Sequence, residues 1–362
     1  MEQVIKFFLK FYLNDLVNLY LGGFKQMITI KEVANYCGVS AATVSKALNG
    51  YSDIGEHTKE KVLKAAEEMG YFPNSVARAL KTNRSYNIGV LFNEDAGIGL
   101  SHEYFSGILQ WFKVSVEERG YHVTFINNKI GDKKVSYIEH CRYRGLDGVF
   151  IACLDFHLID VIELAESDIP VVTLDNKFDS KSAVVSDNIL GMKDLVSYIY
   201  SMGHRKIAFI HGQQTAVTQN RIISFHRTLE ELGVEIPNEY VRQGEYHEPK
   251  TTANITRELL DLPTRPTCII FPDDFSAIGG FNVIHERGLS IPQDISVVGY
   301  DGILLSSVLS PKLTTYKQHT KILGQKAAQQ LIRHIEKPKI TFPETILVKG
   351  ELQIGDSVGK LI

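Results

Sequence analysis

A chain of 362 residues, 44% of them hydrophobic, can bury a large core and divide into two or three domains of roughly 150 residues each. Its net charge of −3 excludes a globally basic nucleic-acid binder, although a local basic patch needs only a local excess. The four cysteines, Cys37, Cys141, Cys153 and Cys268, are too scattered for a zinc or CxxC redox motif and fit a reducing compartment.

The first segment, "MEQVIKFFLKFYLNDLVNLYL", is apolar-rich but carries Lys6, Lys10, Asn14, Asp15 and Asn18. A membrane span needs about 20 predominantly apolar residues, so these polar residues argue against one. Lys10 and Asp15 also interrupt the apolar region that a secretory signal requires. The codons of Gly22-Gly23 can spell a purine-rich ribosome-binding sequence, with three codons between it and Met27. Residues 1–26 are therefore expected to be upstream DNA translated from a misplaced start, with the protein proper beginning at Met27.

The next elements are short and capped. Thr29 followed by Glu32 is a capping box, in which hydroxyl and carboxylate satisfy free backbone donors reciprocally. The helix it opens carries Val33, Ala34 and Cys37 inward and ends at Gly38, which tolerates the left-handed conformation. Ser40 caps a second helix over about 41–48, with Val44 and Leu48 inward. Two short helices around a glycine turn are a helix-turn-helix pattern. "EHTKEKVLKAAEEMGYFPN" predicts a third helix, with Val62, Leu63, Ala66 and Met69 inward and Gly70 and Pro73 stopping it. "NSVARALKTNRSYNIGV" then offers a short helical stretch capped by Asn74, before a strand begins near Ile88.

Through "ITIKEVANYCGVSAATVSKALNG", "GYFPNSVARALK" and "IGVLF", residues 27 to about 355 resemble the LacI/GalR family of bacterial transcription regulators. The resemblance implies a head over 27–73, a hinge helix and linker over 74–86, and an effector and dimerisation domain over 87–355. It implies that the second helix enters the major groove, with Ala41, Ala42, Ser45 and Lys46 toward base edges and Thr43 and Asn49 near phosphates. Relatives with larger polar residues read more by hydrogen bonding. Alanine offers only a methyl contact, so Lys46 is expected to carry much of the polar contact. Asn74 to Lys81 matches the hinge helix. There Leu80, beside Val76 and Ala77, would wedge into the minor groove at the centre of a pseudo-palindromic operator. The expected DNA-binding set is thus Thr29, Ser40, Ala41, Ala42, Thr43, Ser45, Lys46, Asn49, Asn74, Val76, Ala77 and Leu80. Residues 27–87 hold 8 Lys/Arg against 6 Asp/Glu, a modest basic excess that a homodimer doubles.

From Asn87 the chain alternates strands ("NIGVLF", "YHVTFIN", "DGVFIA", "PVVTL", "KIAFIHG", "TCIIF", "ISVVGYD") with helices at 103–118, 188–202, 218–232, 250–260 and 274–287. Such alternation predicts an α/β fold of two doubly wound parallel-sheet lobes, of periplasmic-binding-protein type by resemblance. The first lobe is placed at about 87–187 and 317–340, the second at 188–316 and 341–355, with three crossings near 187, 317 and 340. Ligands bind beyond the carboxyl ends of such strands. There stand Asp175, Asp187, Asp273, Asp274 and Asp301, of which Asp274 is read as a helix cap. Converging carboxylates suit a ligand with many hydroxyls. Arg221 can bridge neighbouring oxygens, and Tyr246 offers an apolar face to a sugar ring. The resemblance places Asp175, Arg221, Tyr246, Asp273 and Asp301 at effector-contacting positions, with Asp273 where relatives often carry Asn.

The expected function is a cytoplasmic, homodimeric repressor of a carbohydrate-utilisation operon, released by a sugar, without cofactor, metal or membrane. Phe92, Tyr104 and Phe105 keep a purine-responsive, corepressed regulator as the alternative effector class. A transport binding protein would share the two lobes but lack the head. "GIGLSH" has His where a dinucleotide fingerprint needs its third Gly, and no Walker loop or nucleophile elbow appears, so no enzyme is expected.

Overall fold

The computed structural model describes residues 28–48, 50–71, 84–92 and 99–361. Asn49, Asn74, Val76, Ala77, Leu80 and the segment 1–26 lie outside the described residues. The chain divides into two compact units, the break falling between Ser85 and Tyr86.

The first unit holds α1 (Ile30–Cys37), α2 (Ala41–Leu48) and α3 (Glu56–Met69). The capping box is closed on both sides. Thr29 N–H donates to Glu32 Oε2 at 2.6 Å, and Glu32 N–H donates to Thr29 Oγ1 at 3.4 Å. Gly38, at φ +64°, ends α1 in the left-handed conformation that side-chain-bearing residues avoid. Ser40 Oγ accepts from Thr43 N–H at 3.0 Å and opens α2. Val33, Ala34, Cys37, Val44, Ala47, Val62, Ala65 and Ala66 form the core. Its small side chains bring the three helices close, and each buried valine contributes about 1.5–3 kcal/mol. Leu63, expected inward, is instead 44% exposed, and Ala65 takes the inward place. A step of one residue rotates a side chain about 100° round a helix, which carries position 63 off the face shared by 62 and 66.

In the second unit, the first sheet has the order β13-β7-β6-β5-β1-β2 with every pairing parallel. Its strands are β1 (Asn87–Phe92), β2 (His122–Phe125), β5 (Gly148–Ala152), β6 (Val171–Leu174), β7 (Ser182–Ser186) and β13 (Thr345–Val348). The second sheet has the order β14-β12-β11-β10-β8-β9, parallel except for β12 with β14. It contains β8 (Ile207–His211), β9 (Val241–Gln243), β10 (Cys268–Ile270), β11 (Ser296–Asp301), β12 (Thr314–Lys317) and β14 (Glu351–Gln353). A small hairpin pairs β3 (Lys129–Ile130) with β4 (Lys133–Lys134). Strands β5, β7, β8 and β11 are buried along their whole length, as parallel strands covered on both faces must be.

The helices are α4 (Glu103–Glu117), α5 (Tyr137–Arg144), α6 (Ile159–Glu166), α7 (Asn188–Ser201), α8 (Ala216–Glu231), α9 (Pro249–Leu260), α10 (Ala277–Glu286), α11 (Leu304–Val308) and α12 (Thr320–Glu336). Helices α4 and α12 share one core with β1, β5, β6 and β7. Helices α7 and α8 share another with β8, β10, β11 and β12.

The chain passes from the first sheet to the second after Ser186, returns after Lys317, and crosses finally at 349–350. The sequence reading put that last crossing near 340 and assigned 341–355 to the second lobe. Strand β13 corrects this, since it pairs with β7 in the first sheet. The four residues of β13, TILV, are a β-favouring run of alternating exposure, but nothing local says which of the two sheets they join. The tail beyond 355 also packs on the second lobe, where Val358 joins the core and Leu361 N–H donates to Met202 O at 2.8 Å.

Candidate DNA-reading helix and interlobe cleft

Helix α2 leaves Ala42 exposed, with Ala41, Thr43, Ser45 and Lys46 partly so. Thr43 is held by Ser40, their hydroxyl oxygens 2.8 Å apart. Lys46 Nζ is hydrogen-bonded to Asp53 Oδ2, and this bond followed by the Asp53 charge raises the lysine pKa. The cation expected to meet DNA is therefore already engaged by a carboxylate. The face presented by α2 is methyl-rich with hydroxyls at its start.

In each sheet of the second unit the strand order reverses at the first strand, β1 in one and β8 in the other. Crevices for ligands form beyond the carboxyl ends of strands at such points. Several residues that follow strand ends are drawn into one polar network there. Asp175, after β6, accepts from Tyr104 OH at 3.1 Å and from Ser186 N–H at 2.8 Å. Tyr104, on α4, has a single phenolic proton, which it shares between Asp175 and Gln318 Oε1, the latter 3.3 Å away. Gln318, just after β12, donates through Nε2 to Asp301 Oδ1 at 2.6 Å. First-lobe Asp175 and second-lobe Asp301 are thus joined through a phenol and an amide.

Arg221, on α8, is 4% exposed. Its Nε donates to Asn188 Oδ1 at 2.8 Å and its Nη1 to Pro272 O at 2.9 Å. The guanidinium lies 3.5 Å from the Tyr300 ring centroid and 5.8 Å from that of Tyr246. Burial opposes its charge, but Tyr246, Tyr300 and Asp301 keep it protonated. Tyr246 is anchored by a 2.8 Å hydrogen bond between its hydroxyl and Thr218 Oγ1. Its ring occupies the space where any side chain on Gly212 would lie, 2.1 Å from a Cβ placed there.

Burial pushes the Asp301 carboxyl up to about 7, with Asp273 and Asp175 adding to the effect and Arg221 and Gln318 opposing it. Burial raises Asp175 as well, against its hydrogen bonds from Ser186 and Tyr104. Asp175, His247 and Asp301 all hold positive φ, at 55°, 56° and 107°. Such backbone costs of order 1–3 kcal/mol per residue and concentrates at functional sites.

Asp273, not Asp274, serves the helix start. Asp273 accepts from Ser276 N–H at 2.7 Å, Ser276 Oγ at 2.8 Å and His247 N–H at 2.7 Å, so it serves the start of α10. Asp274, read as the cap, accepts instead from Ile303 N–H at 2.9 Å and Thr315 Oγ1 at 2.6 Å. Burial, then the Asp301 charge, holds its carboxyl well above the usual range. The helix turns on Ser276 rather than on Asp274, which leaves the second carboxylate facing the β11–β12 side. Asp187 accepts from Leu190 N–H at 3.0 Å and caps α7. Its side chain makes that helix start rather than joining the cluster.

Gln318, Asn188 and the histidines His102 and His247 were not singled out beforehand. Gln318 and Asn188 stand at strand ends like the aspartates, but as uncharged amides they carry no charge to mark them in the sequence. The histidines form an aromatic run. The His102 ring centroid lies 4.8 Å from Phe105 and 4.4 Å from His247, and His247 stacks on Phe275 at 3.9 Å. Burial, then the neighbouring His247, lowers the His102 pKa to about 4.

Residues 29–74 match the model for bacterial regulatory proteins of the lacI family, and residues 196–358 match that for a periplasmic binding protein-like domain. The "Probable HTH-type transcriptional repressor ExuR" of Bacillus subtilis (strain 168) is 32% identical over 92% of this chain and 99% of its own. The HTH-type transcriptional repressor PurR of Vibrio vulnificus (strain CMCP6) is 32% identical over 92% of this chain and all of its own. Among solved structures, the lac repressor dimer bound to operator and the anti-inducer ONPF has a TM-score of 0.76 and 27% identity, covering 92% of this chain and 100% of that one.

Proposed function

Because the chain belongs to the lacI family of bacterial regulatory proteins, we propose that it is a cytoplasmic homodimer that represses carbohydrate-utilisation genes until a sugar enters the interlobe cleft. The observation that carries the reading is the network of Asp175, Tyr104, Gln318, Asp301 and Arg221, which draws on both lobes. Acceptors and one planar cation arranged around a crevice suit a ligand with several hydroxyls. Tyr246 supplies the apolar face for the ring. In the head, α2 lies in the major groove, with Ala41, Ala42, Ser45 and Lys46 at the bases and Thr29, Ser40, Thr43 and Asn49 on the backbone. Asn74, Val76, Ala77 and Leu80 act in the minor groove. A sugar shifts the lobes only through its different affinity for the two arrangements. No catalytic role is assigned to the cleft carboxylates.

The aromatic run through Phe105, His102, His247 and Phe275 favours a second reading, a purine that acts as corepressor. Anisotropy of labelled promoter DNA from the chain's own gene neighbourhood separates the two. A sugar that lowers DNA affinity supports induction. A purine that raises it, with every sugar silent, replaces that reading.

A further inference from the structure

Among the described residues, the cleft holds more carboxylates than cations, and its buried cation, Arg221, is already engaged. The Arg221 guanidinium acts electrostatically on both Asp175 and Asp301, and Asp273 acts on Asp301. Two of the three nitrogens of Arg221 donate to Asn188 and Pro272, leaving Nη2 as the nitrogen without a partner among the described residues. The side-on fork of Nε with Nη2, one of the two by which arginine clasps a carboxylate or phosphate, is therefore closed to a ligand. The nearby imidazoles add no positive charge, since burial holds both His102 and His247 below the ordinary histidine value. Asp301 Oδ1 is taken by Gln318, and no hydrogen bond from a described residue reaches Oδ2. The carboxylate oxygen left for a ligand is Asp301 Oδ2, an acceptor that requires a donor from it.

We propose that the effector carries hydroxyl or amino donors and no negative charge: a neutral or amino sugar, but not a sugar acid or sugar phosphate. This deepens the sugar reading and rests on it. A carboxylate or phosphate entering the cleft would face the aspartates with only part of one guanidinium to compensate, and like charges brought together in a desolvated site repel strongly. A ligand hydroxyl or ammonium meets the same carboxylates as a hydrogen-bond donor.

The test is calorimetric titration of the full-length protein at pH 8. The ligands are matched neutral, amino, uronate and 6-phosphate forms of glucose, galactose and mannose, their disaccharides, and the purine bases. The expected result is binding by a neutral or amino form, with its uronate and phosphate counterparts weaker by about 100-fold. A uronate or phosphate that binds within tenfold of its neutral parent overturns the charge inference and leaves the sugar reading standing. A purine that binds where no carbohydrate does overturns both. Asp301→Asn should narrow the gap between neutral and anionic forms by at least about tenfold, and Asp175→Asn serves if that variant does not fold. An unchanged gap in a folded variant would also overturn the inference, because a merely structural role would not distinguish ligand charge.

Discussion

Gln318 donates its amide to Asp301 at 2.6 Å while its backbone N–H donates to the Asp301 carbonyl at 3.0 Å. The residue at which the chain returns to the first lobe therefore fixes both the backbone of Asp301 and one oxygen of its carboxylate. Because Asp301 is raised from 3.8 to about 7, the folded state holds its proton more tightly than the unfolded chain. Stability from this group is unimpaired below the unfolded value, falls as pH rises from about 4 to about 7, and stays lowered above. Asp301→Asn should therefore raise the melting temperature most at pH 8 and progressively less toward pH 5. The scale is about 2–4 °C per kcal/mol for a domain of this size. Calorimetry across that range checks it, and an equal shift at every pH would assign Asp301 an ordinary acidity.

Arg221→Lys keeps a positive charge but cannot reproduce the bonds to Asn188 and Pro272 together with the stack on Tyr300. Effector affinity should fall about 10–100-fold, as expected when buried polar partners are left unpaired. DNA affinity without effector should hold. The pattern to look for in anisotropy titrations is a repressor that no longer responds; loss of DNA binding as well would mean that Arg221 supports the fold more than the ligand.

Asp53 holds Lys46, the cation proposed to face the bases, in a hydrogen-bonded ion pair. Asp53→Asn should release the ammonium, tighten DNA binding and steepen its salt dependence by about one counterion. Lys46→Ala should weaken binding by about 1–3 kcal/mol. The double variant should match Lys46→Ala alone. If Asp53→Asn acts equally with and without Lys46, the pair has no part in recognition.

Gly212→Ala would place a methyl 2.1 Å from the Tyr246 ring. The ring must move, and its hydrogen bond to Thr218 with it. Effector binding should fall about tenfold or more, in line with the cost of an overpacked contact, while operator binding without effector is unchanged. Tyr246→Phe, which keeps the ring and loses only the hydroxyl, should fall less. Titration of both variants with the same sugar decides whether the ring or the hydrogen bond matters.

Much of this protein was readable before folding because its signals are short. Thr29 and Glu32 stand three residues apart, and their capping box depends on nothing farther away. Gly38 stops α1 through its own backbone conformation. The buried strands announce themselves as apolar runs, and carboxylates at their ends mark a crevice. The sheet that β13 joins is set by its pairing with β7, more than 150 residues away, which no local pattern encodes. Leu63 was misassigned because a one-residue difference on a helix changes the face.

By itself, then, the sequence determined a capped helical head, a family resemblance, and two α/β lobes with polar strand ends, all from patterns spanning a few residues. Tertiary structure alone decided which of those polar residues belong together. It joined Tyr104, Asp175, Gln318 and Asp301 across the lobes, gave the start of α10 to Asp273 rather than Asp274, and set Asp187 to capping α7. It also set Lys46 against Asp53. The reason is physical: caps and periodicity are properties of neighbouring residues. The charge state and free valences of a buried carboxylate depend on whatever distant strands and helices bring within hydrogen-bonding reach.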